Sequence, residues 1–253
     1  LAWYLEREGF VYTSDPGTAD WIIVNSCGFI EPAKEESIRT TLELRQLYPD
    51  KKIVLSGCLA QRYGEDLSRL AGEIDGVFGN KMLSRIPSFL EEVASRGRSL
   101  FIGEGEEEDT PLRKRFFSFP GSAYLKISEG CNNNCAFCAI PLIRGPLKSR
   151  TEQEILAELT HLLSLGIREV NIVGQDLGAF GRDRGASSLA SLLSRIADVP
   201  GDFWVRLLYM HPDHFPQEIL PVVEADSRIL PYFDIPFQHA SEGILTRMGR
   251  RGN

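Results

Sequence analysis

Three cysteines within eight residues constrain this chain more than any other feature: Cys131, Cys135 and Cys138 in the stretch Gly130-Cys131-Asn132-Asn133-Asn134-Cys135-Ala136-Phe137-Cys138. Thiols this close in sequence converge on one point only if the backbone loops around it. Gly130 and the three Asn residues tolerate the unusual dihedrals such a loop needs. The stretch follows a strand-like run, Ala123-Tyr124-Leu125-Lys126-Ile127. Three ligands on a four-coordinate centre leave one position open, which separates a reactive metal site from a structural one. The x3 then x2 spacing differs from the paired C-x2-C units of zinc ribbons, and none of the four histidines (His161, His211, His214, His239) is close in sequence. An iron–sulfur cluster with one iron free of protein ligands fits this pattern. A structural zinc with a distant fourth ligand is the alternative.

The rest of the composition sets the setting for such a site. The 253 residues suffice for one barrel-sized domain or two smaller ones, and 43% hydrophobic residues is ordinary for a soluble globular chain. No apolar run reaches the eighteen or so residues that would span a bilayer, and no basic segment followed by an apolar one opens the sequence. The expected compartment is the cytoplasm, with no membrane partner. Five cysteines, three of them clustered, suit metal-binding thiols in a reducing compartment better than a disulfide framework. The chain opens on Leu1 and closes on the loop-like Arg250-Arg251-Gly252-Asn253, which reads as a fragment. A net charge of −7 argues against a nucleic-acid partner for the part shown and suits a basic protein partner.

Taken in order, Leu1 to Glu8 has helical spacing and stops at Gly9. Trp21 to Asn25 reads as a buried strand, after which Ser26-Cys27-Gly28 opens a loop. An amphipathic helix over 33–48 halts at Pro49, a second strand over 52–56 leads to Gly57-Cys58, and a helix over 59–70 follows. Cys27 and Cys58 thus lie one βα repeat apart. Right-handed crossovers place such loops side by side at the carboxyl edge of a parallel sheet, so the two thiols are expected to face one spot, unless each is a small buried hydrophobe. Val77-Phe78 and a helix over 82–94 complete a first domain, 1–96. The acidic run Glu104 to Asp109 and the basic Arg113-Lys114-Arg115 mark 97–120 as a linker.

Residues 121–253 alternate strand and helix. Thr151-Glu152-Gln153-Glu154 is a capping box opening a helix to about Leu165. Strands over 169–173, 204–209 and 232–235 alternate with helices over 189–196 and 217–224. The expected fold class is α/β: an open parallel α/β domain followed by a partial (β/α) barrel with four strands. Barrel chemistry sits on loops at the carboxyl ends of strands. That rule singles out the cysteine triplet with Phe137, Gln175-Asp176, Tyr209 and His211, and Gln238-His239. Arg206 points into the barrel and needs a carboxylate, from a cofactor or a structural Asp. Phe137, Gln175, Asp176, Arg206 and Gln238 are candidate cofactor contacts; no residue stands out as catalytic.

The C-x3-C-x2-C pattern, with Phe137 before the last Cys and directly after the first barrel strand, resembles the signature of radical S-adenosylmethionine (SAM) enzymes. The resemblance implies a [4Fe-4S] cluster on Cys131, Cys135 and Cys138 whose free iron chelates SAM, and one-electron cleavage to a 5′-deoxyadenosyl radical. Over essentially the whole chain the sequence is similar to the methylthiotransferases, which join an N-terminal cluster domain to a radical SAM TIM-like barrel. Asn25-Ser26-Cys27-Gly28-Phe29-Ile30, Ala33-Lys34-Glu35-Glu36-Ser37, Gly57-Cys58-Leu59-Ala60-Gln61-Arg62-Tyr63, His211-Pro212-Asp213-His214-Phe215 and Asp234-Ile235-Pro236-Phe237-Gln238-His239 resemble the RimO branch. That branch adds a methylthio group to the β-carbon of an aspartate in small-subunit ribosomal protein twelve; the MiaB branch modifies tRNA adenosine. The resemblance implies that Cys27 and Cys58 are two of three ligands to an auxiliary [4Fe-4S] cluster, with a second SAM as methyl source and an electron donor such as flavodoxin. The family's third auxiliary ligand would lie upstream of Leu1, and its C-terminal TRAM domain beyond Asn253. The rival from another class is a non-catalytic iron–sulfur or zinc binding protein.

Overall fold

A computed structural model describes residues 1–69, 72–105, 112–113, 116, 119–185 and 188–250. The chain divides into two compact units, Leu1–Pro111 and Leu112–Asn253.

The first unit runs α1 (Ala2–Arg7), β1 (Trp21–Ser26), α2 (Glu31–Leu47), β2 (Lys52–Gly57), α3 (Cys58–Ser68), β3 (Gly76–Phe78), α4 (Ile86–Arg96) and β4 (Ser99–Phe101). Its strands pair in parallel in the order β1-β2-β3-β4. The side-chain period of two sends Ile53 and Leu55 of β2 to one face, against Ile22, Val24, Leu59 and Val77. Val54 goes to the other, against Tyr4, Phe78, Phe89, Leu90 and Val93. Helices therefore cover both faces, which is why β2 reads as an unbroken apolar run. Burying each such side chain is worth about 1.5–3 kcal/mol.

β4 lies inside the stretch that sequence assigns to the linker. Three residues are too few to show a period, but Phe101 stacks on Phe78 at 5.3 Å between centroids, and that contact draws the segment onto the sheet edge. The acidic run Glu106–Asp109 lies outside the described residues, as do Lys114 and Arg115.

The second unit runs β5 (Ser122–Lys126), β6 (Ser128–Glu129), α5 (Ile140–Arg144), β7 (Lys148–Ser149), α6 (Glu152–Ser164), β8 (Glu169–Val173), α7 (Leu189–Ala197), β9 (Trp204–Leu208), α8 (Leu220–Ala225), β10 (Ile229–Phe233) and α9 (Glu242–Arg247). Four parallel strands pair in the order β10-β9-β8-β5. Leu125, Val170, Ile172, Val205 and Leu207 face the helices and pack on Ile155, Leu159, Leu162, Leu192, Leu193 and Ile196. The opposite face carries Tyr124, Asn171, Arg206 and Tyr232, the polar and aromatic inner surface of a partial (β/α) barrel. Thr151 caps α6 as expected: its hydroxyl accepts from Glu154 N–H at 3.2 Å, and Glu154 Oε2 accepts from Thr151 N–H at 2.8 Å.

The helix expected over 82–94 begins only at Ile86, after a 3-10 turn at Leu83–Arg85, and two boundaries move in the second unit. The last strand spans 229–233 rather than 232–235. Pro231 has no N–H to give a ladder, yet it sits at a register irregularity on the edge strand, where no donor is required. The Arg228 side chain fixes the strand's start by donating to the carbonyls of Ala197, Val199 and Gly201. The helix expected over 217–224 is a short 3-10 turn, Gln217–Ile219, leading into α8.

Candidate cluster and cofactor site

The cysteine loop leaves the carboxyl end of β5 and is gathered at its base by the two-residue antiparallel ribbon of β6 and β7. Within it, Cys131 N–H donates to Gly145 O at 3.1 Å and Leu147 N–H to Asn132 Oδ1 at 2.9 Å. These bonds press Gly130 against the returning chain. With φ +74°, a Cβ there would stand 2.0 Å from Pro146 O, so only glycine fits.

Backbone N–H groups point at two of the thiols: Asn133 N at 3.4 Å from Cys131 Sγ and Ile140 N at 3.5 Å from Cys138 Sγ. Burial pushes the Cys131 thiol up; the Asn133 N–H opposes this, while the charges of Asp176, Cys138 and Cys135 add to it. Among the described residues, no group of three or more His, Cys, Asp or Glu side chains is gathered tightly enough to hold a single metal ion. The donor set fits an iron–sulfur cube, whose thiolates each take a different iron, with N–H groups placed to stabilise sulfur charge.

The other strand-end residues take distinct places. Asp176, after β8, is 2% exposed and its carboxylate is fully engaged. Oδ1 accepts from Gly178 N (3.2 Å) and His211 N (3.1 Å); Oδ2 lies 2.5 Å from His214 Nδ1 and accepts from Asn133 Nδ2 at 3.3 Å. It ties the cysteine loop to the loop after β9. Gln175 beside it has a buried Oε1 without a hydrogen-bond partner. Tyr209, directly after β9, and Gln238, in the loop after β10, adopt left-handed backbones (φ 80° and 67°) that non-glycine residues seldom occupy. Both side chains are exposed. Phe137, half-exposed, lies under the Arg250 guanidinium at 5.9 Å.

Arg206 finds its carboxylate in Glu169 of β8, at 3.1 Å, not in an Asp, and stacks over Tyr232. Buried His211 is held below the usual histidine range by burial, then by Arg250. His239 is exposed, its Nδ1 accepting from Ser241 N–H.

In the first unit, Ser26 pairs with Gly57 in register, so Cys27 and Cys58 each follow directly on a strand end. Gly28 packs so closely on the start of α3 that a Cβ would meet Cys58 O at 2.7 Å. Cys27 is exposed and Cys58 half-buried. Sequence reasoning missed Asn80, after β3, whose Nδ2 donates to Cys58 Sγ at 3.3 Å. The available signal was its position, since it follows a strand end as Cys27 and Cys58 do. Gln61 Oε1 orients it by accepting from Asn80 N–H at 3.1 Å.

Comparison with known proteins adds to this geometry. Residues 125–253 match the Radical SAM superfamily, and residues 1–79 match a family described as Uncharacterized protein family UPF0004. Curated relatives include the ribosomal protein uS12 methylthiotransferase RimO of Treponema denticola, 43% identical over 272 residues, covering 98% of this chain and 57% of that protein. Proteins of the same name from Syntrophomonas wolfei and Natranaerobius thermophilus are 42% and 41% identical, with the same coverage. The chain thus spans 57% of the length of these relatives. Among solved structures, the radical SAM methyltransferase TsrM of Kitasatospora setae, with cobalamin and a [4Fe-4S] cluster bound, superposes with TM-score 0.63 at 14% identity, over 91% of this chain and 52% of that one. At that identity the likeness concerns the fold.

Proposed function

This chain belongs to the radical SAM superfamily, matched over 125–253, and from that premise we propose that it is the cluster-bearing part of a methylthiotransferase acting on an aspartate β-carbon of ribosomal protein uS12. The observation that carries the reading is the position of Cys131, Cys135 and Cys138 on the loop leaving the first strand of a parallel β/α unit, in a chain whose relatives bear that name. When bound, the cluster and SAM would supply the one-electron radical chemistry needed to activate a C–H bond of the substrate.

The chain's own residues hold and orient. Cys131, Cys135 and Cys138 would hold one [4Fe-4S] cluster, and Cys27 and Cys58 would contribute ligands to an auxiliary cluster in the first unit, where Asn80 donates to the Cys58 sulfur. Phe137, Gln175 and Gln238 contact SAM, Gln175 through its unsatisfied Oε1. Asp176 and Arg206 act through their partners, Asn133, His214 and Glu169. The unit Leu1–Pro111, which takes in β4 beyond the expected 1–96, is the auxiliary-cluster domain, and Leu112–Asn253 carries the radical SAM barrel. Electrons come from a low-potential donor of the flavodoxin type, and the protein works in the cytoplasm beside the ribosome. No helix among the described residues is long and apolar enough to cross a membrane.

The test uses full-length protein, reconstituted anaerobically with iron and sulfide and given SAM, a strong reductant, and either uS12 or bulk tRNA. A methylthio mass gain on one uS12 aspartate is expected. Gain on tRNA alone, or no 5′-deoxyadenosine at all, overturns the reading. Cys135→Ala should abolish 5′-deoxyadenosine, whereas Cys27→Ala should spare it and stop only thiolation.

A further inference from the structure

The three residues that follow α9 meet the cysteine loop one after another. Met248 O accepts from Ala136 N–H at 2.9 Å, between the second and third cysteines. Gly249, at φ +71°, packs on the Asn134 carbonyl so closely that a Cβ would stand 2.5 Å from that oxygen. Arg250, 8% exposed, spans the gap to Phe137 with its guanidinium and donates Nη1–H to Pro236 O at 2.5 Å.

The helix end is itself fixed. Arg250 N–H donates to Leu245 O at 2.8 Å and Gly249 N–H to Thr246 O at 3.0 Å, the paired bonds of a Schellman cap with glycine in the left-handed position. Such a cap holds the final carbonyls in set directions. Here one of them, Met248 O, is the acceptor that the cysteine loop uses.

We infer that Met248-Gly249-Arg250 is a latch that positions the cluster-bearing loop, holding Asn134 to Phe137 in chelating shape. The inference rests on the proposed cluster at Cys131, Cys135 and Cys138. These three residues act on the loop's backbone and on Phe137, so they are positioning residues. Their effect is on how tightly iron is held.

The experiment uses full-length protein in a Cys27→Ala/Cys58→Ala background, so that only the triplet's cluster is read. After anaerobic reconstitution, iron and sulfide per chain are measured, then the rate of iron loss to EDTA well below the unfolding temperature, with circular dichroism as a folding control. Gly249→Ala should lose iron roughly tenfold faster than its parent, the size expected from one backbone hydrogen bond. Gly166→Ala is the control for strain alone: that glycine also has positive φ, +82°, but nothing within 4 Å of its missing Cβ. It should match the parent. Equal rates for Gly249→Ala and Gly166→Ala overturn the latch. If Gly249→Ala does not fold, Arg250→Lys decides, because it keeps the charge but loses the planar group over Phe137: faster iron loss supports the latch and an unchanged rate overturns it. Cys135→Ala in the same background must lower iron content; if it does not, the cluster assignment fails, and the latch with it.

Discussion

Asp75 offers the sharpest test of how the first unit is held. Its carboxylate, 16% exposed, accepts from Arg45 Nη2 at 2.5 Å, Lys52 Nζ at 3.0 Å and Ile53 N–H at 2.8 Å, joining α2 to β2 and the segment before β3. In Asp75→Asn the Ile53 bond can survive on the amide oxygen. Arg45 keeps the carbonyls of Glu73, Pro49 and Lys51 but loses one charge-assisted bond, worth about 1.5–3 kcal/mol. Lys52, 40% exposed, regains water at a cost of about 0–1 kcal/mol. The loss should total about 2–4 kcal/mol, or roughly 1–2 M in urea midpoint. Hydrogen–deuterium exchange of the β2 peptide across a urea series reads it locally.

The pH dependence has a fixed sign. Burial pushes the Asp75 carboxyl up, but the Ile53 N–H, Lys52 and Arg45 outweigh it, and the net shift is down. A carboxyl depressed on folding stabilises fully above its unfolded value, about 3.9, and loses that contribution as pH falls through the folded value. The gap between wild type and Asp75→Asn should therefore be full at pH 7 and narrow steadily below about pH 4. A gap that stays constant into acid, or is absent at neutral pH, refutes the reasoning.

Three further outcomes are expected. Glu158 of α6 is buried and accepts from Arg150 Nη1 at 2.6 Å and Arg113 Nη2 at 2.8 Å. Removing it leaves the Arg150 charge, 14% exposed, without a carboxylate and with only the carbonyls of Lys126 and Glu154, so Glu158→Ala should cost about 3–5 kcal/mol in urea unfolding, with Glu158→Gln costing less. Thr151→Ala removes the α6 cap and should cost about 1 kcal/mol, seen as fraying of the first turn in hydrogen exchange. Gly130→Ala should block cluster assembly, since its Cβ collides with backbone that no side-chain rotation can clear; normal iron content in that variant would contradict the loop geometry.

Much of the architecture was legible because local chemistry and tertiary demand agree. Thr151 and Glu154 announce α6 with a box that both sequence and structure contain, and β2 reads as buried because helices cover its two faces. β4 escaped notice because its signal is a distant aromatic stack, Phe101 on Phe78, with no periodicity of its own. β10 was displaced because Pro231 argues against a strand, while Arg228 settles the register through carbonyls some thirty residues away. At the site, the cysteines and strand-end loops were readable from spacing. The engagement of Asp176 with Asn133, His211 and His214 was not, because its partners are more than thirty residues distant. The Met248-Gly249-Arg250 turn was hidden for the same reason, whereas Asn80, 22 residues from Cys58, was readable only from its place after a strand end.

Tyr209 and Gln238 stand at positions whose backbone favours glycine. Each holds a backbone shape that glycine would adopt freely, at a cost of about 1–3 kcal/mol. Any campaign that ranks substitutions by melting temperature would pick glycine at both. It would yield a hardier protein whose two loop mouths have each lost a side chain held outward, a trade that thermostability screens reward and that only an assay of chemistry would catch.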